Sequence, residues 1–182
     1  MLFDIPPAEV AKAKIPHEIF LTNLIGNHIL MFVAALGTYS VMPLAMLFVP
    51  TVSVGSLVYT LWRARRSLRR DPWFVACHWQ IAARRSRIFI VMLGLLGMVS
   101  LLGWLGHTYL GMMREAIFAL IGGLGILPVM VTMLVLIIME SETLHRASQS
   151  RLPPWVVNRY PNPEAKQVEE LDRDAATAHG DS

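Results

Sequence analysis

No Asp, Glu, Lys or Arg occurs between Glu18 and Arg63. The uncharged run Ile19–Trp62 holds 44 residues, roughly 66 Å of α-helix at about 1.5 Å per residue. A bilayer core is only about 30 Å thick. One helix cannot use that length without extreme tilt, whereas two helices joined by a tight reversal can. Gly37-Thr38-Tyr39-Ser40-Val41-Met42-Pro43 suits the reversal. Gly37 tolerates unusual backbone angles, and Pro43 fits the first turn of a following helix.

Two further uncharged runs cover Ile88–Met113 and Ala116–Met139, separated by Arg114 and Glu115. The pattern predicts spans at 19–38, 42–62, 88–110 and 116–139. The chain is 54% hydrophobic and 16% charged, against roughly 25% charge in soluble domains. It lacks the charge to cover a globular surface, which argues against a soluble enzyme, a secreted module or a disordered protein. The expected class is an all-α integral membrane protein, a four-transmembrane-helix bundle. Asp4 and Glu9 beside Lys12 and Lys14, together with the overlong apolar run that follows, predict no cleavable leader.

The chain divides into an N-terminal segment (1–18), a first hairpin (19–62), an Arg-rich connector (63–87), a second hairpin (88–139) and a tail (140–182). The connector carries Arg63, Arg65, Arg66, Arg69, Arg70, Arg84, Arg85 and Arg87 against the single acid Asp71. Translocating that cluster is prohibitive, so the connector and both termini are expected in the cytoplasm, with the chain in a bacterial-type inner membrane. Tyr59 and Trp62 near one boundary, and Trp104 and Tyr109 near the other, read as interfacial anchors. Pro153, Pro154, Pro161 and Pro163 followed by six acids predict a mobile end. A marginal helix is conceivable over 164–178.

Within the connector, Asp71-Pro72 reads as a helix start with Asp as cap and Pro at the first position. An interfacial helix from there would dip Trp73 and Trp79 into headgroups while the arginines meet anionic lipid or an acidic partner. The patch is short and lacks a nucleic-acid reading motif, so nucleic acid is not an expected partner.

His17, His78 and His145 fall on one membrane side, with Glu18, Glu140 and Glu142 nearby in sequence. Glu142 and His145, three apart, share a helix face, so His17, His78, Glu142 and His145 form a candidate metal set. His28 and His107 differ in depth by roughly 15 Å at 1.5 Å per residue and cannot clamp one haem. No cofactor is expected of the chain itself; a metal, or a haem shared with a partner, is the alternative. Asn23 and Asn27 share a face of the first span, with His28 beside them. That patch reads as interhelical hydrogen bonding or, alternatively, a polar path.

Gly94, Gly97, Ser100, Gly103 and Gly106 recur every third residue, so they wrap around the third span. Gly122, Gly123 and Gly125 in the fourth span are candidates to receive them. Pro50 and Pro128 sit where each would bend its helix. Cys77, the sole cysteine, rules out an intramolecular disulfide. No span contains a carboxylate, which disfavours proton antiport and aspartyl proteolysis. Packing and anchoring features abound without a visible nucleophile or phosphate loop. The expected function is therefore a non-catalytic subunit or accessory factor, packed against other membrane subunits or further copies of itself. The alternatives are a small oligomeric transporter or channel, and a metalloenzyme at the inner surface.

Overall fold

The computed structural model describes residues 1–165, 167 and 168. Among these the chain is helical, with isolated bridge pairings of Leu2 with Arg151 and Phe3 with Gln167. Four helices are long and apolar enough to cross a membrane: α1 (Pro7–Gly37), α2 (Pro43–Arg70), α3 (Trp73–Leu110) and α4 (Arg114–Ser148). A short α5 (Pro154–Arg159) follows. The count and order of spans agree with the uncharged runs. The helices are longer than those runs because Ala, Arg, Leu and Gln around the boundaries keep high helix propensity beyond the last apolar residue.

The chain forms two compact units, residues 1–83 with 140–182, and residues 84–139. In the first, α1 buries Ala13, His17, Phe20, Leu24 and Asn27, and α2 buries Val49, Ser53, Leu57, Thr60, Ala64 and Ser67. Both sets recur every three or four residues, the period of one helix face. In the second, Ser86, Phe89, Val99, Gly103 and Gly106 of α3 and Ile117, Gly125, Val129, Met133 and Leu136 of α4 are the buried positions.

The connector is helical, not a loop. α2 continues to Arg70 because nothing between Trp62 and Arg70 breaks a helix. Asp71 leaves it in extended geometry (φ −103°, ψ 155°). α3 begins at Trp73, and the Pro72 carbonyl accepts from Ala76 N–H at 2.9 Å. Pro72 is therefore the capping residue, one position later than the sequence pattern suggested, and the Asp71 carboxylate instead pairs with Arg63. Nor is 72–87 a one-faced interfacial helix, since Phe74–Trp79 and Ile81–Ala83 are buried.

Of these, Phe74, Val75, Cys77, Trp79, Ile81 and Ala83 form an apolar core with Phe3, Ala13, Ala64, Leu152 and Val156. The tail after α4 packs against it as far as Ala165. Leu152 N–H donates to Met1 O (3.1 Å), and Trp73 Nε1–H donates to Tyr160 O (2.6 Å). Val156 is fully buried. Most of the expected helix at 164–178 lies outside the described residues.

The prolines occupy junctions between helix types. Pro50 follows a 3₁₀ turn (Pro43–Leu47), and Pro128 follows a π-helical stretch (Ile121–Ile126). Each thus falls within the first turns of a fresh α-helical stretch, a position that tolerates proline's missing N–H better than a helix interior.

Candidate functional site

The strongest convergence of polar chemistry lies in the first unit, where α1, α3 and the last part of α4 meet. His17 stands just before the first uncharged run, His78 ten residues before the second hairpin's run, and Glu140 directly after Met139. All three side chains are fully buried (0% exposed). His17 Nδ1 lies 2.5 Å from Glu140 Oε2, and His17 Nε2 lies 2.9 Å from His78 Nδ1. The two imidazoles meet edge to face at 5.1 Å between centroids, and Phe74 lies edge-on to His78 at 4.7 Å.

His17 is the central member, using both ring nitrogens. Each contact needs one donor and one acceptor, so the protons on His17, His78 and Glu140 are arranged jointly rather than one by one. The same geometry argues against one metal bound by all three, since the two contacts of His17 leave from opposite sides of its ring. Among the described residues, no group of three or more His, Cys, Asp or Glu is arranged to hold a metal ion.

The expected set of His17, His78, Glu142 and His145 is therefore half assembled. His17 and His78 meet. Glu142 is exposed and pairs with Arg146 one turn along α4, and His145 is exposed with its Nε2 3.0 Å from Gln149. The i,i+3 spacing of Glu142 and His145 places them on the outward face of α4. The inward face is Leu136, Glu140, Thr143 and Ala147, and its period of three to four residues was the signal favouring Glu140.

The intramembrane patch is also assembled. Residues Thr22–Met31 of α1 are π-helical, and His28 Nδ1 reaches Asn23 O at 3.0 Å, five residues back. Asn27 Nδ2–H donates to Asn23 Oδ1 (3.2 Å) and to Val49 O of α2 (2.8 Å). Asn23 Nδ2 reaches Ser53 Oγ at 3.5 Å. Asn23 and Asn27 are buried at the helix interface, and His28 is half-buried. Beside them runs an open groove of about 640 Å³ lined by residues that include Ile19, Gly26, Leu30, Phe48 and Val52.

The arginines divide by role. Arg63 forms a two-pronged pair with Asp71, with Nη1–Oδ2 2.6 Å and Nη2–Oδ1 3.0 Å. Its guanidinium also sits 5.1 Å over the Trp79 ring. Arg65, Arg66, Arg69 and Arg70 are exposed. With Trp62 they line a concavity of about 420 Å³. In the second unit, Arg85 donates to Met139 O at 3.0 Å, while Arg84 and Arg87 are exposed. Trp79, expected among headgroups, is 3% exposed and belongs to the core. Trp73 is half-buried against Phe3. Both were drawn inward because α3 carries apolar residues on every side from Phe74 to Ala83. Cys77, eleven residues before the Ile88 run, is enclosed in the same core. Loss of solvent there pushes its thiol up to about 12.

The glycines separate into two groups. A side-chain carbon at Gly103 would lie 3.0 Å from Ile117, and one at Gly125 would lie 2.8 Å from Leu96. One at Gly106 would strike the Met112 sulfur at 2.5 Å. At Gly94, Gly97, Gly122 and Gly123 nothing lies within 4 Å. Ser100, half-buried, lines a cavity of about 420 Å³ with Trp104, His107 and Arg114.

No protein family, curated protein or solved structure matches the chain.

Proposed function

We propose that this protein is a multi-pass inner-membrane subunit or accessory factor of a larger membrane complex. Its four spans form a bundle, with the Arg-bearing end and both termini in the cytoplasm. The carrying observation is where its chemistry lies. The ionisable side chains that converge, His17, His78 and Glu140, are fully enclosed and hold helices together. What the protein presents outward is surface: apolar helix flanks and the exposed Arg65, Arg66, Arg69 and Arg70.

The apolar stretches of the four spans are only 17–28% buried by the chain itself. Lipid covers such flanks adequately, but Gly94 and Gly97 add open, side-chain-free positions on exposed parts of α3. Small residues of this kind let another span approach closely. The exposed arginines supply a matching docking element for anionic headgroups or an acidic cytoplasmic partner. A transporter reading would draw on Asn23 and Asn27, but their hydrogen bonds run to α2 and support a packing role instead.

Native mass spectrometry after extraction in mild detergent at native expression tests the proposal. A stoichiometric assembly with another membrane protein or with further copies is expected. A lone 20.4 kDa chain would contradict it.

A further inference from the structure

The exposed arginines of α2 form a more specific arrangement than a charged surface. Trp62, Arg65, Arg66, Arg69 and Arg70 recur at steps of three, one, three and one, which places them on one helix face. They alone line the concavity of about 420 Å³. The Arg66 guanidinium lies 5.3 Å over the Trp62 ring, so stacking holds that side chain along the helix surface. Arg63 shows the contrast: on the same helix it is neutralised by Asp71. No carboxylate neutralises Arg65, Arg66, Arg69 or Arg70 among the described residues.

Depth and spacing narrow the occupant. Tyr59 and Trp62 end the uncharged run and mark a membrane boundary. Arg65 and Arg66 then lie roughly 5–6 Å beyond Trp62, and Arg69 and Arg70 roughly 6 Å further, at about 1.5 Å per residue. The four arginines thus fall in two sequence-neighbour pairs one helical turn apart along α2, at headgroup depth. Each pair matches one phosphate, because the planar fork binds phosphate oxygens in two-pronged fashion. Toward the membrane, exposed Val54 and Val58 continue at intervals of four to Trp62 and give acyl chains an apolar track.

We propose that this face of α2 is a binding site for an anionic phospholipid carrying two phosphates, each held by one arginine pair. The proposal rests on the reading of α2 as a span whose Arg-bearing end lies in a headgroup layer, and it names the ligand of that surface.

The test is lipid retention by the full chain in nanodiscs of zwitterionic phosphatidylcholine. These are doped either with diphosphatidylglycerol or with phosphatidylglycerol at equal total charge. Native mass spectrometry is expected to show one two-phosphate lipid retained per chain, with at least a tenfold preference over the one-phosphate lipid. The R65Q/R66Q/R69Q/R70Q variant should lose that retention at least tenfold, and R65Q/R69Q should lose an intermediate amount. A control, R114Q/R159Q, should retain it. Equal retention of the two lipids, or retention unchanged in the quadruple variant, overturns the proposal. Tighter binding of inorganic pyrophosphate than of the lipid would also overturn it by assigning the site to a soluble anion. A chain that retains the lipid but isolates alone would contradict the accessory-subunit reading and leave this site standing.

Discussion

His17 Nδ1 and Glu140 Oε2, 123 residues apart in sequence, lie 2.5 Å from each other with both side chains fully buried. The contact ties α1 to α4, and the His17–His78 contact ties α1 to α3. His17→Ala removes the Glu140 and His78 contacts together from a buried site, for which about 3–5 kcal/mol of destabilisation is expected. The double replacement His17→Leu with Glu140→Leu should cost less than the sum of the two single replacements. Thermal unfolding in detergent reads both. A double-variant loss equal to the sum of the two single losses would mean that the pair is not coupled.

Trp79 and Trp62 are expected to behave oppositely. Trp79 is 3% exposed beneath Arg63, and Trp62 is 52% exposed. Trp79→Ala should cost about 3–5 kcal/mol, the usual range for emptying a core aromatic site. Trp62→Ala should change stability by no more than about 0.5 kcal/mol. The same unfolding measurement separates them.

Asn27 bridges α1 and α2 through Asn23 and the Val49 carbonyl. Polar bonds between membrane helices contribute modestly, so Asn27→Ala should cost about 0.6–2 kcal/mol. In a double-mutant cycle with Asn23→Ala, a positive coupling between the two positions is expected. Strict additivity would place the two asparagines in separate roles.

The two kinds of glycine yield a paired test. Gly125→Leu forces a side chain into space held by Leu96 and should cost about 1–3 kcal/mol through overpacking. Gly94→Leu meets open space within the chain and should leave its stability unchanged. If α3 packs against a partner there, Gly94→Leu should reduce copurification of that partner, measured by quantitative pull-down.

Cys77 should resist alkylation. Its thiol is buried and pushed up to about 12, so almost none is thiolate at neutral pH, and the nucleophile is the thiolate. Maleimide should modify the native protein negligibly within an hour and the denatured chain once. Rapid native labelling would show that the core around Phe74 and Trp79 opens.

The number and order of the spans were legible because a bilayer imposes one length scale, and the charge-free runs match it. Helix ends were less legible. Residues 63–87 read as a charged loop with an interfacial helix starting at Asp71-Pro72, yet Arg, Ala and Leu sustain helix wherever packing supports them, and a two-residue turn at Asp71-Pro72 suffices. The burial of Trp79 depended on tertiary contacts with Arg63 and Tyr59, which no local pattern encodes. His17 and His78 share one expected membrane side, but nothing in the sequence says that their side chains converge. Glu140 was passed over for Glu142 because spacing to His145 outweighed the buried-face period Leu136, Glu140, Thr143, Ala147. The π-helical stretch around Asn23 and Asn27 leaves no recognisable mark in residue type.

Site-directed thiol labelling tests most directly whether the Arg-bearing end faces the cytoplasm. Thr38→Cys lies in the α1–α2 turn, Met113→Cys in the α3–α4 turn and Ser148→Cys at the end of α4, all at exposed positions, with buried Cys77 silent. In intact cells a membrane-impermeant maleimide should label Thr38→Cys and Met113→Cys, and should reach Ser148→Cys only after permeabilisation. Labelling of Ser148→Cys in intact cells, with Thr38→Cys protected, would contradict both the orientation and the functional reading built on it.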